Sequence, residues 1–278
     1  MSASIVSGEW LAAHLHDPNV AIVDCRFNLM QPDAGQQQYQ AAHIPGAYYL
    51  DLNHDLSSPV AQHGGRHPLP AVNLLEEKLR QIGVNSYPQP TLVVAYDDSR
   101  LAFASRLWWL LGYWGHPQMA VLDGGWSAWT EAQYPTTTEV PPMRSGNFKA
   151  HVQPDRVVDI AQVKAKKDLP TVALIDSREG ERYRGEREPI DPIAGHIPGA
   201  LNYPWIDVTD ALGRVRSSAA QRDRWQTLPT TDEVIVYCGS GVTACVNLLS
   251  LELAGITHGK LYAGSWSDWC SYAKTTQY

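Results

Sequence analysis

Four short sequence blocks occur twice in this chain of 278 residues, in the same order. His43-Ile44-Pro45-Gly46-Ala47 returns unchanged at positions 196–200, and the other pairs begin at residues 21 and 173, 92 and 234, and 124 and 264. Ordered repeats of this length indicate two copies of one structural unit. The chain must therefore fold as two similar units, each formed by about half of the sequence.

The repeats and the length both agree with two domains of ordinary size. The stretch 135–154 is rich in Pro, Thr, Ser and Gly and shows no periodicity, which is typical of a linker. We predict an N-terminal domain over residues 1–140, a linker over 141–153 and a C-terminal domain over 154–278.

Each copy alternates short apolar runs with helical patterns. The runs at 20–24 and 91–96, and again at 171–176 and 233–238, have the continuity of strands that are buried on both faces of a parallel sheet. Residues 101–111 and 242–254 have the apolar spacing of packed helices. The sequence predicts the α/β class, with two tandem domains that are each a parallel sheet flanked by helices.

The amino-acid composition limits the kinds of partner that the chain is expected to bind. The chain has 22 Lys and Arg against 29 Asp and Glu, a net charge of −7, and an acidic surface attracts neither nucleic acid nor anionic lipid. No apolar run approaches the roughly 18 residues of a transmembrane helix, and the N-terminus lacks the basic and apolar regions of a secretory signal. We expect a cytoplasmic monomer that binds neither nucleic acid nor membranes.

The four cysteines raise the question of a nucleophile. They are too few for a disulfide scaffold and form no Cys-x-x-Cys pair, so we expect no metal site. Tyr237 ends a predicted strand, a helix starts near Thr243, and Cys238 is the first residue of the loop between them. Open α/β sheets place their sites at the carboxyl ends of strands, and the N–H groups of a helix N-terminus lower a thiol pKa. Cys238 is therefore the predicted nucleophile, and a buried cysteine at a tight turn is the alternative.

The loop after Cys238 predicts an anion-binding nest. Gly239 and Gly241 allow successive backbone N–H groups to converge, and Val242 and Thr243 complete the turn into the helix. The loop contains neither Lys nor Arg. We therefore expect backbone dipoles, rather than side-chain cations, to hold an anion there.

The doubled domain with His-Ile-Pro-Gly-Ala in each copy resembles the tandem form of the rhodanese superfamily. The loop Cys-Gly-Ser-Gly-Val-Thr-Ala at 238–244 is similar to that of 3-mercaptopyruvate sulfurtransferases, whereas thiosulfate sulfurtransferases typically carry Arg and Lys after the cysteine. The resemblance implies a catalytic C-terminal domain and an inactive N-terminal one, in which Asp97 matches Cys238. Related phosphatases use Cys-x5-Arg, and Ala244 at that arginine position argues against their activity.

The resemblance also implies roles for residues outside the loop. Arg182 matches the arginine that binds the donor anion, and Arg184 could share this role. The position of a second substrate arginine, nine residues later, holds Asp191. Arg66 is a further candidate for the missing positive charge.

Ser240 and His67 match two members of a Cys–His–Ser arrangement. His67 belongs to a longer excursion of the first copy, so it would have to reach Cys238 across a domain interface. Asn53 stands at the matching acidic position, and Asp51 or Asp55 could substitute for it.

The function implied is sulfur transfer from 3-mercaptopyruvate, through a persulfide on Cys238, to cyanide, a small thiol or reduced thioredoxin. No metal or organic cofactor is expected. The alternatives are thiosulfate as the donor, or a persulfide carrier that serves a protein partner. The sequence leaves the physiological acceptor and the oligomeric state open.

Overall fold

The computed structural model describes residues 4–229 and 231–273. Its chain divides into two compact units. The first contains Met1–Ser58, Pro70–Gln153 and Thr209–Val215, and the second contains Pro59–Leu69, Pro154–Val208 and Arg216–Tyr278. Each unit thus includes one short segment from the other half of the sequence. The contiguous domain ranges derived from the repeats stay a prediction.

The first unit contains one five-stranded sheet in the order β1-β5-β4-β2-β3, with every neighbouring pair parallel. Its elements are β1 (Ile5–Val6), α1 (Gly8–Ala13), β2 (Val20–Asp24), α2 (Ala34–Ala41), β3 (Tyr48–Tyr49), α3 (Val72–Gln81), β4 (Leu92–Tyr96), α4 (Ala104–Tyr113), β5 (Met119–Leu122) and α5 (Gly125–Glu131).

The second unit repeats this plan with the order β6-β10-β9-β7-β8, again parallel throughout. Its elements are β6 (Val157–Val158), α6 (Ile160–Lys166), β7 (Val172–Asp176), α7 (Gly180–Arg184), β8 (Leu201–Asn202), α8 (Ser218–Trp225), β9 (Glu233–Tyr237), α9 (Ala244–Leu253), β10 (Gly259–Tyr262) and α10 (Ser265–Ser271), with 3-10 turns at Pro154–Arg156 and Trp205–Val208. The predicted α/β class with two parallel sheets is confirmed.

The apolar runs form the central strands because both faces of each sheet are covered. β4 lies between β2 and β5, and β9 lies between β7 and β10. Ile22 and Val94 are buried in the first core, as are Leu174 and Ile235 in the second. Burial of one such side chain contributes about 1.5–3 kcal/mol. A central strand therefore fixes the place where its following loop leaves the sheet.

An ion pair recurs at the carboxyl end of β2 and of β7. Nη2 of Arg26 donates to Asp24 at 2.6 Å, and Nη2 of Arg178 donates to Asp176 at 2.7 Å. Nη2 of Arg178 also donates to the carbonyl of Gly195 at 2.6 Å. Both pairs are buried. Because the pair occurs in both copies and the cysteine in only one, we assign it to the structure of the loop after the strand.

The repeated histidine makes the same two contacts with a tyrosine in both units. Nδ1 of His43 lies 2.7 Å from the carbonyl of Tyr39, and Nδ1 of His196 lies 2.7 Å from that of Tyr183. Each imidazole also stacks on the same tyrosine. These contacts hold a turn in each unit.

Among the described residues, no helix is both long and apolar enough to cross a membrane.

Candidate active site

Cys238 follows β9, so its loop leaves the carboxyl edge of the sheet near its centre. The backbone N–H of Cys238 donates to Oγ of Ser265 at 3.1 Å, and its carbonyl accepts from the N–H of Trp266 at 3.0 Å. The side chain is buried, and the residue is only 2% exposed. The N–H of Gly241 donates to Sγ of Cys238 at 3.2 Å. The sulfur therefore faces the backbone of its own loop.

Two glycines shape this loop for different reasons. Gly241 has a φ of +79°, and a Cβ atom there would lie 2.2 Å from the carbonyl oxygen of Ala263. No other residue fits at that position. At Gly239 a Cβ atom would lie 3.1 Å from Nη2 of Arg66 and 3.5 Å from both Nη atoms of Arg182. The missing side chain lets two guanidinium groups approach the backbone beside the sulfur.

These arginines correct one expectation from the sequence. The loop itself has no basic residue, but α7 supplies Arg182 and the segment Pro59–Leu69 supplies Arg66. Both belong to the unit that contains Cys238. An anion beside Gly239 would thus meet side-chain cations as well as backbone N–H groups, so the expectation of dipoles without cations was wrong.

Two carboxylates hold the guanidinium groups. Nη2 of Arg182 donates to Glu188 at 2.7 Å and to Asp191 at 3.2 Å, and Nη1 of Arg66 donates to Asp191. Burial opposes ionisation of Glu188, but its bonds from Arg182 and from backbone N–H groups outweigh burial and lower its pKa. At Asp191 burial is the larger effect and raises the pKa, although Arg66 and Arg182 act against it.

His67 and Ser240 form the predicted pair. Nδ1 of His67 lies 2.8 Å from Oγ of Ser240, and both residues are buried. The segment that carries His67 belongs to the same compact unit as Cys238. A serine hydroxyl in the loop of the nucleophile that is bonded to an imidazole can move a proton.

The acidic position of the predicted arrangement lies in the first unit. The N–H of Asn53 donates to Oδ1 of Asp51 at 2.7 Å, and the N–H of Asp51 donates to Asp55 at 2.8 Å. Asp55 also pairs with Lys78 at 3.0 Å. Asp51 and Asp55 thus have partners in their own unit.

The remaining predicted residues divide into two groups. Val242 is buried in the loop, and Thr243 occupies the N-cap of α9 without a side-chain capping bond. Arg184 is different, because its side chain is 55% exposed and its Nε and Nη2 donate to Glu186 at 2.7 and 2.8 Å. The geometry therefore gives no support to Arg184 as a donor ligand.

Two contacts of this site were not anticipated from the sequence. Glu188 joins Arg182 to the buried Arg178, and Ser265 accepts the N–H of Cys238. Ser265 has a φ of +55° and stands where the first copy has Gly125. This departure from the repeat is the signal that could have indicated Ser265.

Asp97 fills the matching loop in the first unit. Its carboxylate accepts the backbone N–H groups of Ser99, Leu101, Phe103 and Ala104 at 2.7, 3.0, 2.8 and 2.8 Å. The residue is 1% exposed, and burial raises its pKa to about 6, although these N–H groups act to lower it. With this pKa the carboxylate is mostly ionised at neutral pH, and it accepts the N–H groups that could otherwise bind an external anion.

Among residues 4–229 and 231–273, no group of three or more His, Cys, Asp or Glu is arranged to hold a metal ion.

The family model for rhodanese-like domains matches the chain twice, at residues 7–132 and 159–272. The chain belongs to the rhodanese family. The resemblance drawn from the repeats and from the cysteine loop is confirmed.

The similarity to known proteins extends over nearly the whole length of the chain. A protein of Pseudomonas aeruginosa, provisionally named a 3-mercaptopyruvate sulfurtransferase, is 43% identical over 96% of this chain and 95% of its own. A protein of Mycobacterium tuberculosis, provisionally named a thiosulfate sulfurtransferase, is 36% identical over 92% of this chain and 89% of its own. The crystal structure of SseA from Escherichia coli, described as a 3-mercaptopyruvate sulfotransferase, has a TM-score of 0.80 and 31% identity, covering 96% of this chain and 100% of that one.

Proposed function

We propose that this protein is a sulfurtransferase that takes sulfur from 3-mercaptopyruvate and passes it to a thiol or to cyanide. The observation that carries the proposal is the thiol of Cys238 facing a backbone N–H, with the guanidinium groups of Arg66 and Arg182 beside it at Gly239. The activity given in the name of the Pseudomonas relative supports the choice of donor.

The proposed reaction has two steps with a covalent intermediate. The thiolate of Cys238 attacks the sulfur of the donor, a sulfur–sulfur bond forms, and the carbon–sulfur bond breaks. The enolate of pyruvate leaves with the electron pair and takes up the proton from the donor thiol, which leaves a persulfide on Cys238. An acceptor thiolate or cyanide then removes the outer sulfur and restores the thiolate. These steps require no metal and no organic cofactor.

Arg182 and Arg66 would bind the carboxylate of the donor. Arg182→Met should lower kcat/KM for 3-mercaptopyruvate about 10- to 100-fold, because a hydrogen bond to a charged group contributes about 1.5–3 kcal/mol. Arg184→Met is the matched control, since Arg184 lies two residues away on α7 and pairs with the exposed Glu186. Steady-state kinetics of both variants test this assignment, and an equal loss in the two would contradict it.

Ser240 and His67 would relay the proton of the donor thiol to the enolate. Ser240→Ala should lower kcat with 3-mercaptopyruvate about a hundredfold, the lower range for general acid–base catalysis. Loading from thiosulfate should change little, because sulfite leaves without protonation at carbon. Stopped-flow loading with the two donors measures this difference. An equal loss with both donors would show that Ser240 serves the loop structure instead.

The cellular setting follows from the same reasoning. We expect the protein to act in the cytoplasm as a monomer, with a small thiol, cyanide or reduced thioredoxin as the acceptor. The net charge of −7 supports the absence of a nucleic-acid partner. The inactive role proposed for the first copy is supported by Asp97, which fills its own loop.

Two candidates remain beside this proposal. Thiosulfate as the donor is favoured by the two arginines at Gly239 and by the name of the mycobacterial relative. A persulfide carrier for a protein partner is the other candidate. It predicts stable persulfide with slow release to small thiols.

The deciding experiment is the intact mass of the reduced protein after brief exposure to either donor. One added sulfur that forms faster from 3-mercaptopyruvate is the expected result. Faster loading from thiosulfate would overturn the donor assignment. Absence of an adduct with both donors would overturn the enzymatic proposal and leave the family assignment intact.

A further inference from the structure

The two arginines near Gly239 belong to a cluster of charged side chains whose positive and negative charges balance. Three cations and three anions are joined by ion pairs within the second unit. The members are Arg66, Arg178, Arg182, Asp176, Glu188 and Asp191. Their formal charges cancel, so an approaching donor meets two guanidinium groups but no excess of positive charge.

Asp191 has a special place in this cluster because it binds both arginines that reach the loop. One carboxylate oxygen accepts from Arg66 and the other from Arg182. The side chain of Asp191 is only 2% exposed, so water weakens these interactions little. Arg66 Nη2 and Arg182 Nη1, which donate to neither carboxylate, remain near Gly239. Asp191 thus positions the two guanidinium groups and neutralises one of their two positive charges.

We propose that Asp191 determines donor selectivity by limiting the positive charge of this cluster, which favours a monoanionic donor over a dianionic one. The inference rests on the proposed function. Its physical basis is that each positive charge added near the loop stabilises a bound dianion twice as much as a bound monoanion. At neutral pH, 3-mercaptopyruvate carries one carboxylate charge and thiosulfate carries two charges.

Asp191→Asn tests the charge directly, because asparagine has nearly the same shape. If kcat/KM for 3-mercaptopyruvate rises about threefold, kcat/KM for thiosulfate should rise about tenfold, since the free-energy gain of the dianion is twice as large. The ratio of the two kcat/KM values, thiosulfate over 3-mercaptopyruvate, is the decisive quantity. A residue that serves the fold alone would change both values by one factor and leave this ratio constant.

A set of single and double variants distinguishes the effect of charge from a loss of local structure. Arg66→Met removes a positive charge, so the ratio should fall below that of the wild type. The double variant Arg66→Met/Asp191→Asn restores the net charge, and its ratio should return toward the wild-type value. Asp168→Asn is the control for overall charge, because its side chain is 73% exposed and pairs only with neighbouring Lys167 among the described residues. Its ratio should not change.

The outcomes separate this inference from the proposed function. If the wild type turns over both donors, an unchanged or lower ratio in Asp191→Asn overturns the inference and leaves sulfur transfer intact. If the wild type forms no persulfide, calorimetric binding of thiosulfate and of pyruvate to Cys238→Ser still tests the charge effect. There the added substitution Asp191→Asn should tighten thiosulfate binding more than pyruvate binding, and equal changes would overturn the inference.

Discussion

Replacing Cys238 with serine is expected to abolish sulfur transfer, with a loss in kcat of roughly 10⁴-fold or more. A serine hydroxyl is far less acidic than a thiol and does not form the anionic nucleophile in this loop. The two side chains are similar in shape, and the loop contacts of Cys238 that hold its backbone, to Ser265 and Trp266, do not involve sulfur. The fold should therefore persist, with near-normal thermal unfolding.

Pyruvate release and intact mass measure this effect, and Cys245→Ser is the matched control. Cys245 is also buried, lies at the start of α9, and its thiol donates to the carbonyl of Gly241 at 3.5 Å. Its replacement should cost some stability while persulfide still forms. Turnover that survives in Cys238→Ser, or an added sulfur mapped to another cysteine, would refute the mechanism.

Replacing Asp97 with alanine is expected to destabilise the first unit by about 3 kcal/mol or more. The carboxylate accepts four backbone N–H bonds in a buried loop. Each buried donor without a partner costs about 1–3 kcal/mol, and water entering the vacated space recovers part of this. Two of the donors, Phe103 and Ala104, stand at the start of α4. The loss should therefore loosen both the loop and the first turn of that helix.

Asp98→Ala is the matched control, because the neighbouring carboxylate is exposed and bonds only to the hydroxyl of Ser99 among the described residues. Surface substitutions of this kind usually stay within about 0.5 kcal/mol. Urea unfolding gives the two free energies, and hydrogen exchange at residues 99–104 shows where the structure opens. Equal stability of the two variants would mean that the carboxylate of Asp97 does not hold the loop.

Asp97 also explains how one duplicated loop serves two purposes. In the second copy a thiol takes one N–H of the loop, from Gly241. In the first copy a carboxylate takes four N–H groups of its own loop. The sequence alignment of the two copies identified the exchange of cysteine for aspartate. It did not indicate that the aspartate acts as an internal anion, because that depends on how the loop folds around it.

The choice between Arg182 and Arg184 is a second case that the sequence left open and the structure decides. The two arginines are separated by one residue, and residues at this spacing point to different sides of a helix. The sequence offered both as donor ligands. The structure directs Arg182 to Gly239 and leaves Arg184 with Glu186 in solvent, because only one side of α7 faces the loop.

The sequence by itself determined the features that depend on neighbouring residues. Repeated blocks, apolar runs and glycine spacing indicated two parallel α/β copies and placed Cys238 between a strand and a helix, since periodicity and loop chemistry are local. Only the tertiary structure brought Arg66 close to Arg182. It also brought His67 to Ser240, and these two residues are 173 positions apart in the sequence. Packing of distant segments creates those contacts. The charge balance that Asp191 imposes on the site is also a result of such contacts. No local pattern in the sequence indicates it.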